Sequence, residues 1–282
     1  MRKYAVLSLD VEDWYHLDYF SSVKTDTNYS MLDGVNNFLE IVESHGISST
    51  LFTLSNVAPL VKDELIEAVK KNHEISSHGV AHKRPLTMTL DDFIEDVKDS
   101  KKSLEDIIGT SVLGYRAPCF SINNKLTEEL VKAGYEYDSS AIDFSSHPLY
   151  GGIDLSSFDK KMDNVYQNKL LTEFELPTTS LLNRNIPISG GGYLRIFPWL
   201  LMKKLVADFL KNNQTYFLYI HPFELSNKVT PKVDNISFLK NFRFKYGQSH
   251  TPKKLNKLID LLKLNDFEFV TFKSLMEISN KT

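Results

Sequence analysis

The sequence predicts an α/β fold built around parallel strands. Short β-type runs alternate with helical patterns along the chain, which is the sequence form of a parallel α/β architecture. The chain has 282 residues with 42% hydrophobic content, enough to bury the core of one large domain such as an α/β barrel. It contains no internal repeat and no low-complexity linker. We therefore predict one domain spanning 1–282.

The first elements follow this alternation closely. A strand is predicted at 4–10, where the apolar run ends at Asp10. Apolar residues then recur at helical spacing from Leu32 to Val42. The next elements in order are a strand at 50–54, a helix at 61–71 and a strand at 73–76.

Helix boundaries in the second third are marked by capping residues. Thr89 resembles an N-cap and opens a helix that runs to about Ile108, before Gly109. A later helix ends near Ala133, with Gly134 as its C-cap. The other predicted strands are 114–116, 136–139, 173–176, 215–221 and 267–272, the later helices are 198–211 and 252–264, and 143–170 and 223–250 are predicted to be loops or insertions.

Composition limits the classes of function. A net charge of −3 gives no electrostatic argument for binding nucleic acid or an anionic membrane. The single cysteine, Cys119, cannot form an intrachain disulfide. The apolar run within 1–9 is too short for a signal-peptide core, and no segment approaches the roughly 20 apolar residues needed to span a bilayer. We expect a soluble, cytoplasmic protein without a transmembrane segment.

The segment 77–82, Ser-His-Gly-Val-Ala-His, is the most informative feature of the chain. Two imidazoles four residues apart can bind one divalent metal if a carboxylate arrives from elsewhere. The segment 8–13 ends the first strand with three acids, Asp10, Glu12 and Asp13. The pair is not the HExxH motif of helical metalloproteases, because Gly79 occupies the position of its Glu.

The polar residues of interest share one position in the predicted fold. All lie at or just beyond the end of a predicted strand, where active sites of α/β barrels and open α/β sheets collect. They are the acids of 10–13, His78, His82, Arg116, Asp138 and His221.

Each residue also has an ordinary structural interpretation. A four-residue histidine spacing arises by chance, and the acids of 10–13 are compatible with a solvated turn, although Asp10 ends a run of buried type. Arg116 is compatible with a surface position, Asp138 with capping a turn and His221 with a hydrogen-bonded core position. Taken jointly, in this order and at strand ends, they predict one convergent site.

The same order resembles the polysaccharide deacetylase family, the NodB-homology or carbohydrate esterase family 4 group, over nearly the whole chain. Its five motifs match 9–13, 77–82, Arg116-Ala117-Pro118, Asp138 and 219–221. The segments 10–15, 114–118 and 188–193 are similar to a subgroup associated with bacterial exopolysaccharide and surface-glycan gene clusters. The resemblance implies a distorted (β/α) barrel of the NodB-homology type.

The resemblance also implies metal-dependent removal of an N-acetyl group from a sugar. A two-histidine, one-carboxylate site leaves positions open for water and substrate. Asp10 matches the catalytic base, Arg116 the residue that holds it ionised, and His221 the general acid, with Asp138 orienting that histidine. The backbone N–H of Cys119 matches an oxyanion-hole donor.

Two departures from the family pattern leave choices open. Val11 separates the acids of the first motif, so the metal carboxylate is Glu12 or Asp13. Regular strand geometry favours Glu12, whereas a turn directly after Asp10 would favour Asp13. The usual aromatic after Asp138 is absent, so the candidates for sugar stacking are Trp14, Tyr15, Phe120, Tyr193 and Trp199, of which Trp199 is expected in the core and Tyr15 fits either role.

The sequence leaves several metals and several substrates possible. Zinc is expected from the ligand types, with cobalt, iron or nickel as alternatives. The expected substrates are N-acetylated sugars, glycans, and nucleotide- or lipid-linked sugars. Other possibilities are removal of another N-acyl, formyl or O-acetyl group, an iron oxygenase and a catalytically silent sugar-binding protein.

The segment 190–192, three glycines, is compatible with a plain turn or with close approach to a ligand.

Overall fold

The computed structural model describes residues 2–144, 147–181 and 184–281. Most of its strands form one large sheet that curls into an incomplete barrel. The strands are β1 (Lys3–Val11), β2 (Thr50–Thr53), β3 (Glu74–Ser77), β4 (Gly114–Tyr115), β5 (Tyr137–Asp138), β6 (Asp159–Met162), β7 (Val165–Gln167), β8 (Thr172–Phe174), β9 (Thr178–Leu181), β10 (Arg184–Pro187), β11 (Thr215–Ile220) and β12 (Phe267–Phe269).

The large sheet has the order β11-β1-β2-β3-β4-β5-β8-β7-β6. From β11 to β8 neighbouring strands are parallel, whereas β7 pairs antiparallel with both β8 and β6. β12 is parallel to the first residues of β1, and β9 and β10 form a separate antiparallel pair. The parallel strands therefore direct their carboxyl ends toward one edge of the sheet.

Helices connect most of the parallel strands. They are α1 (Asp33–Ser44), α2 (Lys62–Lys70), α3 (Leu90–Ile108), α4 (Asn124–Lys132), α5 (Gly191–Ile196), α6 (Trp199–Leu210), α7 (Phe238–Lys245), α8 (Thr251–Lys263) and α9 (Phe272–Ser279). The predicted N-cap is present, since Thr89 Oγ1 accepts a hydrogen bond from Asp92 N at 3.2 Å. Gly134, the predicted C-cap of α4, follows the C-cap residue Ala133 and adopts a left-handed φ of 84°.

The predicted α/β alternation is confirmed, but two segments were mispredicted. The segment 143–170 contains β6 and β7, and 223–250 contains α7. β6 and β7 are too short to show a clear alternation, and the eight residues of α7 are fewer than the roughly 11–18 over which helical periodicity is read. Within the first of them, 145–146 lie outside the described residues.

The central strands are buried on both faces. Every residue of β11 is buried, as is nearly all of β1, because helices pack on one face of the sheet and side chains of the curled strands pack together on the other. A smaller cluster behind the first motif, here called the aromatic cap, consists of Trp14, Leu17, Phe20, Met31, Phe223 and Phe244.

Among the described residues, no helix combines the length and the apolar character required to cross a membrane.

Candidate metal centre and active site

The candidate residues lie at neighbouring strand ends. Asp10 is near the end of β1, His78 directly follows β3, Arg116 follows β4 and His221 follows β11. β1 lies between β11 and β2, so side chains that follow the strands on both of its sides can reach its carboxyl end. The structure thus brings these residues to one edge of the sheet.

Three of the predicted site residues form a compact set of potential metal ligands. One ligand atom from each of Glu12, His78 and His82 lies within 4.8 Å of the others. Glu12 Oε2 is 3.1 Å from His82 Nε2, and both Glu12 and His78 are buried. Gly79 and His82 take left-handed φ values of 81° and 54°, so the chain turns between the two imidazoles instead of continuing as a helix.

Both imidazoles are suited to ligation in the neutral form. His78 Nδ1 lies 2.8 Å from the carbonyl oxygen of Arg116, a contact that requires a proton on Nδ1 and leaves Nε2 as the ligand atom. Burial lowers the pKa of His78 to about 4. Burial also lowers the pKa of His82 well below its ordinary value, and the neighbouring His78 adds to this effect.

Glu12 has the environment expected of a metal carboxylate. Its Oε2 atom is buried and accepts no hydrogen bond from any described residue. Burial raises the pKa of Glu12 to about 8, against the opposing influence of His221. A bound cation would stabilise the ionised carboxylate, so the two histidines and Glu12 fit a divalent metal.

Asp13 has a different environment. Its Oδ1 accepts hydrogen bonds from Trp14 N at 2.8 Å and Met31 N at 2.9 Å, which caps the 3-10 turn Trp14–His16. β1 stays extended through Val11, and Glu12 rather than Asp13 joins the histidine cluster.

Asp10 and Arg116 form a buried ion pair. Arg116 Nη1 donates to Asp10 Oδ1 at 2.6 Å, and neither side chain is more than 3% exposed. The guanidinium also donates to Ser8 Oγ and to the carbonyl and hydroxyl oxygens of Ser139. Its carbon lies 3.9 Å from the ring centroid of Phe52. These contacts fix the arginine, which in turn orients Asp10.

His221 lies between two carboxylates. Its Nε2 is 3.3 Å from Glu12 Oε1, and its Nδ1 is 3.2 Å from Glu224 Oε2. Although burial opposes the charge, the hydrogen bond that His221 donates to Glu224 and the charge of Glu12 raise the pKa of His221 to about 9. The imidazole is therefore protonated near neutral pH.

Sequence reasoning missed Glu224. Arg195 Nε donates to Glu224 Oε1 at 3.1 Å, and the same guanidinium donates to the carbonyls of Arg243, Phe244 and Tyr246. Glu224 and His221 also form a capping box around the 3-10 turn Pro222–Glu224. The order His-Pro-x-Glu was the available signal, because a Glu three residues after a cap can bond back to it.

The three-glycine segment makes room for this carboxylate. A Cβ on Gly191 would lie 2.1 Å from Glu224 Oε2, whereas one on Gly192 would meet nothing within 4 Å. Gly190 caps α5, which Gly191 opens. Gly191 therefore allows the side chain of Glu224 to approach the backbone closely.

Asp138 lies away from the contacts of His221. Its Oδ1 accepts from Ser140 Oγ at 2.7 Å, and Asp138 is paired with Glu173 across β5 and β8. Glu173 Oε1 accepts from the backbone N–H groups of Ser140 and Ala141. Burial raises the pKa of Asp138 to about 6, and burial together with the nearby Asp138 raises the pKa of Glu173 well above its usual range. The carboxylates that contact His221 are Glu12 and Glu224.

Cys119 and Phe120 follow the third motif in left-handed conformation, with φ of 54° and 51°. None of the hydrogen bonds among the described residues uses the Cys119 N–H as donor. Burial, together with the charges of Glu12 and Asp18, raises the pKa of the Cys119 thiol to about 12. The thiol is therefore unreactive as a nucleophile at neutral pH, while the backbone N–H is available to a ligand.

The candidate stacking aromatics divide by burial. Trp14 is buried in the aromatic cap and donates to the Tyr29 carbonyl at 2.6 Å, and Phe120 is buried against Tyr219. Trp199 packs against the main core, as expected. Tyr15 and Tyr193 are partly exposed and could contact a sugar.

A cavity of about 440 Å³ opens beside His82. Its lining carries both signs of charge and includes His16, Asp18, Lys83 and Arg84. Sequence reasoning did not single out these four residues, because they come from separate segments that show no shared pattern.

This fold matches the (β/α)-barrel-like fold of the carbohydrate esterase family 4 deacetylases. Residues 25–137 match the family model "Polysaccharide deacetylase", and 139–277 match "Domain of unknown function (DUF3473)". Over 25–137 the chain is thus similar to the polysaccharide deacetylase family, in agreement with its fold.

A curated relative and several solved structures are similar to the chain. A peptidoglycan deacetylase from Helicobacter pylori is 25% identical over 132 residues, which cover 46% of this chain and 45% of the relative, so the match spans less than half of that protein. A Mycobacterium smegmatis protein assigned as a polysaccharide deacetylase has a TM-score of 0.65 at 16% identity, covering 100% of this chain and 92% of the other.

Two more distant structures have the same fold. The peptidoglycan deacetylase PdaC from Bacillus subtilis has a TM-score of 0.54 at 13% identity, covering 99% of this chain and 93% of its own. A CE4 family pseudoenzyme from Bacillus anthracis has a TM-score of 0.55 at 12% identity, covering 97% and 65% respectively. The fold therefore occurs with and without activity, and function has to be argued from the site.

Proposed function

We propose that the protein is a metal-dependent hydrolase that removes the N-acetyl group from an acetamido sugar. One observation carries the proposal: the ligand set Glu12, His78 and His82 lies beside an aspartate held by Arg116 and a histidine held by Glu224. A hydrolytic site needs a base and an acid on either side of the reacting carbonyl, and this arrangement supplies both.

The chain's own residues account for the proton transfers. A divalent ion held by Glu12, His78 and His82 would supply Lewis acidity, polarising the acyl carbonyl and making water more acidic. Asp10, oriented by Arg116, accepts a proton from the attacking water.

The second half of the reaction requires an acid. Protonated His221 donates its proton to the nitrogen as the bond between carbon and nitrogen breaks, which gives acetate and a free amine. The Cys119 N–H is a candidate donor to the developing oxyanion, and Glu224 keeps the His221 ring in orientation. In this proposal Asp138 supports the strand-end loop of 139–141 through Ser140.

Zinc is the metal we propose, since two imidazoles and one carboxylate suit it. The same ligand types accept cobalt, iron or nickel. Metal analysis of the purified protein identifies the ion directly.

The proposed substrate is an acetamido sugar of a bacterial surface polysaccharide or of its nucleotide- or lipid-linked precursor. The family and the segments 10–15, 114–118 and 188–193 support this class. Partly exposed Tyr15 and Tyr193 are the proposed sugar contacts, and the cavity beside His82 offers polar groups of both charges.

We also infer that 1–282 forms one domain. The strands within 25–137 and those within 139–277 are joined by parallel pairing of β5 with β8, which supports a single folding unit.

A silent sugar-binding protein is the second candidate, because the fold also occurs in a pseudoenzyme. Removal of another acyl group, or of an O-acetyl group, would use the same water, base and acid. An iron oxygenase would share the ligand types, but it does not require the acid and base that flank them here.

The test is acetate release from a panel of N-acetylhexosamine oligosaccharides, nucleotide sugars and lipid-linked sugars. Metal-loaded protein is compared with chelated protein and with Asp10→Asn. Metal-dependent acetate that disappears in Asp10→Asn supports the proposal. Stoichiometric metal without acetate from any substrate favours the silent binder, and release of a different acid identifies another acyl group.

A further inference from the structure

One face of α7 is apolar and points outward. Phe238 is 80% exposed and Leu239 is 65% exposed, and the exposed rings of Phe242 and Tyr246 stack with centroids 4.7 Å apart. Residues four apart stack along one side of a helix, so Phe238, Phe242 and Tyr246 form a continuous stripe with Leu239 beside it. We call these four residues the outer stripe.

The opposite side of the helix is anchored in the protein. Phe244 is fully buried in the aromatic cap, 4.9 Å from Phe20 and 5.5 Å from Phe223 between ring centroids. Arg195 donates to three carbonyls at the end of α7. The outer stripe is therefore exposed, whereas the inner side of the helix packs against Phe223, two residues from His221.

The segment that carries the outer stripe is basic. Between 228 and 246 the chain has a single acid, Asp234, and five basic residues, although the whole chain has a net charge of −3. The basic residues are Lys228, Lys232, Lys240, Arg243 and Lys245. At 100° per residue, Lys245 and Arg243 flank the stripe on its two sides.

Aromatic and leucine side chains flanked by Lys and Arg have the chemistry of an interfacial membrane contact, in which rings enter the headgroup region and cations meet anionic lipid. A second copy fits this face poorly, because a two-fold contact would bring two basic patches together. We propose that the outer stripe docks the protein onto an anionic phospholipid surface. This inference does not depend on the deacetylase activity.

The test is co-sedimentation with vesicles, using the full chain. We expect binding to vesicles of phosphatidylcholine and phosphatidylglycerol in equal parts, and much weaker binding to phosphatidylcholine alone. Phe238→Ser/Leu239→Ser should weaken binding by roughly tenfold or more, because it removes the inserted apolar groups. Leu200→Ser is the matched control, since Leu200 is 81% exposed on α6.

Charge provides a second arm. Lys245→Glu should weaken binding to the anionic vesicles by roughly tenfold, whereas Lys203→Glu on α6 should change it little. Acetate release from a water-soluble substrate should be unaffected by Phe238→Ser/Leu239→Ser, which separates docking from catalysis. Absence of vesicle binding would overturn the proposal, as would equal binding by the double variant or a dimer that the double variant dissociates.

Discussion

Glu224 Oε2 lies 3.2 Å from His221 Nδ1, while Arg195 Nε holds the other carboxylate oxygen at 3.1 Å. The far side of the same imidazole, Nε2, is 3.3 Å from Glu12 Oε1. A buried carboxylate therefore orients the ring at Nδ1, while Nε2 faces the ligand set. This arrangement is the pattern of an oriented general acid.

Glu224→Gln should reduce turnover of an N-acetyl sugar by about a hundredfold, because general acid catalysis is worth roughly 10²–10⁴. The effect should fall on kcat more than on KM, since Glu224 does not face the sugar. Hydrolysis of 4-nitrophenyl acetate should change much less, because its leaving group departs without a proton.

The exposed Glu268→Gln on β12 is the matched control and should retain activity toward both substrates. An equal loss toward amide and activated ester in Glu224→Gln would contradict the orienting role and indicate a general structural effect.

Gly191→Ala should reproduce the loss of amide hydrolysis. Its Cβ would lie 2.1 Å from Glu224 Oε2, so the carboxylate must move away from His221. Gly192→Ala is a neighbouring control with nothing within 4 Å of the added methyl group. Parallel kinetics of the two variants, with thermal melts to verify folding, measure the effect. Full activity in Gly191→Ala would show that the exact position of Glu224 is unimportant.

Glu12→Gln and Asp13→Ala should separate metal binding from capping. Glu12→Gln should lose stoichiometric metal, measured by elemental analysis, because the amide is a weak ligand. Asp13→Ala should retain metal but lose about 1 kcal/mol or more of unfolding free energy, since it removes the acceptor for two buried N–H groups. Metal lost from Asp13→Ala alone would reverse the assignment.

The Asp138–Glu173 pair should make stability fall as pH rises. Both carboxyls have raised pKa values in the folded protein, so the native state binds protons more tightly than the unfolded state. Stability from this pair is therefore present at low pH and lost as pH rises through about 6 and above.

Glu173→Gln should flatten this dependence, because an amide donor faces Asp138 at every pH. Urea unfolding at a series of pH values from 5 to 9 measures it, with exposed Glu136→Gln as control. An unchanged slope in Glu173→Gln would show that the two carboxyls do not titrate as a pair.

Much of the fold and part of the site could be worked out from the order of residues. His78, Arg116 and His221 each follow an apolar run that the sequence identifies as a strand. The carboxyl ends of parallel strands necessarily meet at one edge of the sheet, so these residues could be expected to lie together. The glycines in left-handed conformation and the Thr89 N-cap could also be predicted, because each depends on residues close to it in the sequence. The hairpin of β6 and β7 and helix α7 escaped prediction, because each element is too short for its apolar spacing to be read as a periodic pattern.

Contacts between distant residues required the tertiary structure. Asp13 accepts from Met31, Arg195 holds Glu224, and Asp138 meets Glu173 on another strand. None of these pairs follows from local spacing, because a side chain's partner depends on how separate elements pack. The net charge of the chain likewise concealed the basic surface around α7, since summing over the sequence discards where each charge lies. Local periodicity is encoded in neighbouring residues, whereas hydrogen-bond partners and surface charge arise only when the elements are assembled.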